Sequence, residues 1–79
     1  MNKEKYDKAF VEAFSIKEES LGPDLEFESI SEWDSIGHMN LIAELEDAFD
    51  ISMEMDDIID FSSYEKGFEL VAKYGVEFR

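Results

Sequence analysis

The 79-residue sequence has no cysteine, one proline, one histidine and, between Lys17 and Lys66, no lysine or arginine at all. Without cysteine there can be neither a disulfide nor a thiolate zinc site, although the chain is near the size at which hydrophobic cores become marginal. Packing alone must hold it. The missing thiols are compatible with a reducing compartment, and the charged start Met1-Asn2-Lys3-Glu4-Lys5 is unlike a secretory signal, so a cytoplasmic location is expected. No uninterrupted apolar run exceeds three residues, against about 20 needed to span a bilayer, so membrane insertion is not expected. From Glu18 to Glu65, 16 acids stand without a cation, and the whole chain carries a net charge of −14. Such a field disfavours nucleic acid and anionic lipid and points to basic partners.

What the sequence does contain is apolar surface: 44% hydrophobic and 14% aromatic residues, with seven Phe and one Trp. That is enough for a core that disordered acidic tails lack, and the length predicts one domain over residues 1–79, expected to be monomeric. Tyr6, Ala9, Phe10, Ala13 and Phe14 follow helical spacing and predict a first helix over about residues 3 to 14, with Asn2 as a candidate cap. From Ser15 to Trp33 the periodicity fades around Gly22-Pro23-Asp24, which predicts a long loop pinned to the core by Ile16, Leu21, Leu25, Phe27 and Ile30.

The second helix is the clearest element. Asp34 is a good N-cap, and Leu41, Ile42, Leu45, Ala48 and Phe49 form a stripe running to about Asp50. Ile36, Met39 and Ala43 fall on another face, surplus to a single core contact. Residues 51 to 55 read as a connector and 56 to 61 as about one helical turn. Ser62-Ser63-Tyr64-Glu65 has the spacing of a capping box, opening a last helix with Phe68, Leu70, Val71 and Tyr74 on its apolar face and Gly75 as a left-handed end. The expected class is all-α, three main helices and one short one with a long first connection.

Ser35 lies in the first turn of the best helix, where free backbone N–H groups and the positive end of the helix dipole favour an attached anion. By spacing alone, Asp34-Ser35 reads more readily as ordinary helix-start grammar. Over Glu32-Trp33-Asp34-Ser35-Ile36-Gly37-His38-Met39 and Leu41-Ile42-Ala43-Glu44-Leu45-Glu46-Asp47-Ala48-Phe49-Asp50-Ile51, however, the chain resembles the acyl carrier protein family. The likeness extends over nearly the whole length, and it implies the small acidic four-helix bundle of that family.

The resemblance further implies that Ser35 accepts 4′-phosphopantetheine from coenzyme A, transferred by a separate Mg²⁺-dependent phosphopantetheinyl transferase, with Asp34 beside it. The arm's thiol would then carry cargo as a thioester, so that a chain without cysteine takes part in thioester chemistry. The chain itself is expected to be no catalyst and to hold no metal. Its work is to present an acyl or aminoacyl group to a loading ligase and downstream transferases or synthases. Ile36, Met39, Ala43, Glu46 and Asp47 match the face that partner enzymes grip. Gly37 and Asn40 replace acids usual in fatty-acid carriers, whereas Trp33 and His38 look like free-standing carriers of dedicated pathways. A housekeeping fatty-acid carrier is the alternative. Gly37 also weakens the helix by up to roughly 1 kcal/mol relative to Ala, which hints at movement near the arm.

Three other readings match parts of the sequence. A hydrolase using Ser35 with His38 as base lacks a Gly-x-Ser-x-Gly elbow and a usual cleft, and His38 reads more simply as a surface residue or a contact to the arm. Asp50, Ser52, Glu54 and Asp56 alternate like calcium ligands, but Met55, Asp57 and Phe61 occupy positions that such a loop gives to Gly, an apolar residue and Glu. An acidic decoy for a basic groove would need the charge but not Ser35.

Overall fold

The computed structural model describes residues 2–78 and contains four α-helices: α1 (Asn2–Phe14), α2 (Ser35–Phe49), α3 (Met55–Asp60) and α4 (Tyr64–Ala72). No strand occurs among the described residues, only an isolated bridge between Glu26 and Ser63. This is the expected helical bundle with a long first connection.

The α1 stripe buries Tyr6, Ala9, Phe10 and Phe14, and Lys3 pairs with Asp7 one turn on, at 2.8 Å. Asn2 is not the cap that was expected. It is a helical residue, and its side-chain amide donates to the Glu77 carbonyl at 2.8 Å, tying the two ends of the chain together. The Tyr6 hydroxyl donates to the Tyr64 carbonyl at 2.6 Å, which satisfies the one polar atom of a ring otherwise lost to solvent.

The first connection is less formless than its sequence. A 3-10 turn covers Glu18–Ser20, and the backbone N–H groups of Phe27 and Tyr64 donate to the carbonyls of Ser62 and Leu25, stitching the loop to the start of α4. Leu25 is buried as expected, with Ile16, Leu21 and Ile30 partly buried against the core. Phe27 is not a pin, because it remains 38% exposed. Trp33 takes that role instead: it is fully buried, with its ring against Phe10, Phe14 and Phe61.

Leu41, Ile42 and Leu45 of α2 complete the centre of the core, while Ala48 and Phe49 lie half-buried at its edge. The helix ends where Asp50 turns left-handed, at φ 54°. The cap of α4 is Ser63, one residue later than the capping-box spacing indicated: its hydroxyl accepts from the Lys66 N–H at 2.9 Å, and Ser62 is taken up by the bridge to the loop. Ser63→Ala is therefore expected to lower stability by about 1 kcal/mol in denaturant unfolding, with Ser62→Ala close to neutral. The positive φ expected at Gly75 is present, at 91°.

Asp57 is the one buried charged residue among those described. Its carboxylate accepts from Lys73 at 2.6 Å and from the Tyr74 hydroxyl, binding α3 to the end of α4. The Lys73 hydrogen bond first, and the Tyr74 bond second, hold the Asp57 carboxyl below its ordinary range. A depressed folded-state value contributes stability above the unfolded value of about 3.9 and loses it as pH falls through the folded one. The melting-temperature gap between the wild type and Asp57→Asn should thus be full at pH 7, begin to narrow only below about pH 4 and close as the folded carboxyl is protonated. A gap that stays constant from pH 7 down through the acid range would show that the contribution is not ionic.

Candidate functional site

Ser35 is the first residue of α2, and it is exposed. Its position follows from Asp34, whose extended backbone stops the loop and whose Oδ1 accepts from the Gly37 N–H at 2.8 Å. The cap carboxylate is thereby turned into the helix, and the Ser35 hydroxyl is left at the positive end of a long helix with a neutral first turn.

Close packing sets this geometry. Gly37 is buried, and a Cβ there would overlap the Glu32 carbonyl oxygen while crowding Asp34 Oδ1. The glycine permits the loop backbone to lie against the first turn of α2, so it marks tight contact and not the mobility that its helix propensity suggested.

Beside Ser35 is an apolar groove of about 340 Å³. Met39 forms one wall from α2, Met55, Ile58 and Ile59 form the other from α3, and Phe27 stands at the loop end. His38 and Phe61 lie beneath. Most of these wall residues are unusually open: Met39 is 56% exposed, Met55 69% and Ile59 70%. Sequence reasoning missed Met55 and Ile59. Their signal was available as apolar residues at i and i+4 in a six-residue helix otherwise rich in aspartate.

His38 is half-buried and works as a brace, not as a surface residue. Its Nδ1 accepts from the Trp33 indole N–H at 2.9 Å, and its Nε2 lies 2.8 Å from the Ile58 carbonyl. Because the indole can only donate, the ring is the neutral Nε2–H tautomer, with that N–H donating to α3. Both nitrogens are engaged, so neither serves as a base for Ser35. The chain Trp33, His38, Ile58 fastens the core, the start of α2 and the groove's far wall to one another.

The residues expected to meet partner enzymes divide. Ile36, at 75% exposure, and Met39 flank Ser35, and Ala43 is exposed further along α2. Glu46 and Asp47 stand at the other end, Asp47 about 18 Å from Ser35 along a helix rising 1.5 Å per residue. One Glu46 oxygen accepts from the Met53 N–H at 2.8 Å, holding the connector after α2. Asp47 borders a separate depression shared with Lys5 and Lys8 of α1.

A family model described as "Phosphopantetheine attachment site" matches residues 8–66, from α1 through the start of α4. The chain belongs to the phosphopantetheine-binding carrier family. No curated protein and no solved structure matches the chain. The carrier's cofactor is covalently attached 4′-phosphopantetheine, and domains of this kind are generally non-catalytic. The local structure fits such a group: an exposed hydroxyl lies at a capped helix N-terminus, and an apolar surface runs alongside for the arm. No helix among the described residues is long and apolar enough to cross a membrane.

Proposed function

We propose that Ser35 is the attachment residue and that the carrier presents an acyl or aminoacyl thioester on its phosphopantetheine arm to successive enzymes of a dedicated pathway. The observation that carries this reading is the placement of Ser35: an exposed hydroxyl on the first residue of a helix capped by Asp34, opening onto the groove between α2 and α3. The serine oxygen attacks the β-phosphorus of coenzyme A, displaces adenosine 3′,5′-bisphosphate and loses its proton to solvent or to the transferase. A phosphodiester results, its negative charge at the positive end of the α2 dipole. When bound, the arm supplies the thiol that the chain lacks. Asp34 acts by holding the helix start, so its effect on loading is one of position.

Partner enzymes are proposed to grip Ile36, Met39 and Ala43, with Glu46 and Asp47 steering basic surfaces from the far end of α2. An acidic field of this kind speeds encounter more than it tightens a complex, which suits a shuttle that must let go. A dedicated pathway is favoured by Gly37, where the crowded Glu32 carbonyl leaves no room for the acidic side chain usual in fatty-acid carriers. The partners are a phosphopantetheinyl transferase, a loading ligase and downstream transferases or synthases, acting in the cytoplasm.

Incubation with coenzyme A, Mg²⁺ and a broad-specificity transferase should add one phosphopantetheinyl group, and Ser35→Ala should abolish the addition. Met39→Glu should slow transfer from the loading ligase at least tenfold while leaving helicity unchanged. Equal turnover in that variant would remove Met39 from the docking face.

A further inference from the structure

Two sulfur atoms stand on opposite sides of the surface around Ser35. Met39 lies on α2, one turn after the serine, and Met55 opens α3 on the facing wall. Both side chains are mostly exposed. Met53 is only two residues from Met55 in sequence, yet it is 7% exposed and packed into the core. The described methionines thus fall into two settings, one that a dissolved oxidant reaches and one that it does not.

Among the described residues, no softer nucleophile is exposed to compete for such an oxidant. Cysteine is absent, and the sole tryptophan, Trp33, is fully buried. Oxidation of a thioether converts a flexible apolar side chain into a polar one. The neighbouring exposed residues Ile36 and Ile59 are hydrocarbons, which the same reagent leaves unchanged. The oxidisable atoms of this surface are therefore Met39 and Met55.

Resting on the reading of Ser35 as the attachment residue, we infer that Met39 and Met55 form a reversible oxidation site, and that their sulfoxides slow the docking of partner enzymes beside the serine. A sulfur lone pair attacks one oxygen of hydrogen peroxide: an S–O bond forms, the O–O bond breaks, and the other oxygen leaves as water after taking up a proton. The thioether is oxidised to a sulfoxide and the peroxide is reduced to water. The return step consumes two thiols, which become a disulfide while the sulfoxide oxygen leaves as water, and separate reductases serve the two sulfoxide epimers. A partner closing over this face would strip water from each sulfoxide oxygen within an apolar contact, which weakens docking. Neither side chain belongs to the core, so the bundle keeps its fold through the cycle. Oxidation of Met53 would by contrast put a polar group among the packed residues.

The test treats the full chain, before attachment of the arm, with dilute hydrogen peroxide. Fragment mass spectrometry should place one oxygen on Met39 and one on Met55 before any on Met53, with circular dichroism and melting temperature unchanged. After removal of the peroxide, loading from coenzyme A by a phosphopantetheinyl transferase, at carrier concentrations well below saturation, should be slower by about tenfold, as expected for polar groups buried unpaired in the contact. Treatment with both sulfoxide reductases and dithiothreitol should restore the rate. A chain with Met39→Leu and Met55→Leu, whatever its own rate, should load equally fast before and after peroxide. It retains Met1 and Met53, so an effect arising at either would persist in it. That persistence, oxidation of Met53 ahead of the exposed pair, no recovery with the reductases, or an oxidised wild type that loads as fast as the reduced one would overturn the proposal and leave the reading of Ser35 intact. A reduced wild type that does not load at all would instead strike that reading and take the inference with it.

Discussion

Gly37→Ala is expected to destabilise the carrier by about 1–3 kcal/mol, the usual range for forcing extra volume into a packed site. Helix propensity alone gives the opposite sign, because alanine in place of glycine inside a helix contributes roughly 1 kcal/mol. The structure decides between them: the added methyl group would occupy the position of the Glu32 carbonyl oxygen, a backbone atom held by the turn that also seats Trp33. A backbone atom cannot rotate aside as a side chain would. The shift needed to admit alanine would move Glu32, Trp33 and the Asp34 cap together, so loading of Ser35 should slow along with the loss of stability. Gly22→Ala is the control, since nothing lies within 4 Å of a Cβ there. Urea unfolding of both variants against the wild type measures the difference. A stabilised Gly37→Ala protein would show that the loop does not rest on α2 as described.

The second large effect belongs to Trp33. Replacing a buried Trp by Ala typically costs about 3–5 kcal/mol, and here the substitution also removes the donor to His38 Nδ1. Domains of this kind have roughly 5–15 kcal/mol to lose, and one of this size stands toward the lower end. Trp33→Ala should therefore be largely unfolded at 37 °C by circular dichroism. Trp33→Phe keeps most of the ring packing but not the indole N–H. It should fold, with faster amide exchange in α3 as the His38 brace slackens. Unchanged exchange in α3 would separate His38 from the positioning of that helix.

These two residues mark the boundary of what could be read from sequence. The α2 start was legible because a cap is a local device: Asp34 and the Gly37 amide are three residues apart, and their bond forms in any chain that makes this helix. Gly37 was legible only as a weak helix residue, because its neighbour, the Glu32 carbonyl, arrives through the path of the preceding loop and not through helical spacing. The same limit separates Phe27 from Trp33. Both are aromatic residues in an aperiodic segment, and only the bridge from loop to α4, through Phe27 and Ser62, decides which ring turns inward. That bridge also explains why the capping-box spacing pointed to Ser62 when Ser63 makes the cap.

The candidate site shows the same division. Ser35, Asp34, Ile36 and Met39 lie within one helix start, so spacing and family likeness pointed to them together. The opposite wall of the groove comes from α3, joined to α2 by the His38 bond to Ile58 across 20 positions, and no periodic pattern in α2 announces it. The acidic field was plain from composition. Its division between Glu46, which holds the connector through Met53, and Asp47, which faces the α1 lysines, needed coordinates.

One hydroxyl among eight serines carries the proposed function. Its most direct test is fragment mass spectrometry of the full chain after incubation with coenzyme A, Mg²⁺ and a phosphopantetheinyl transferase, locating the added group residue by residue. The expected result is a single phosphopantetheinyl group on Ser35 and none on Ser31, Ser62 or any other serine. Attachment elsewhere, or an unmodified chain after treatment with several such transferases, would contradict it.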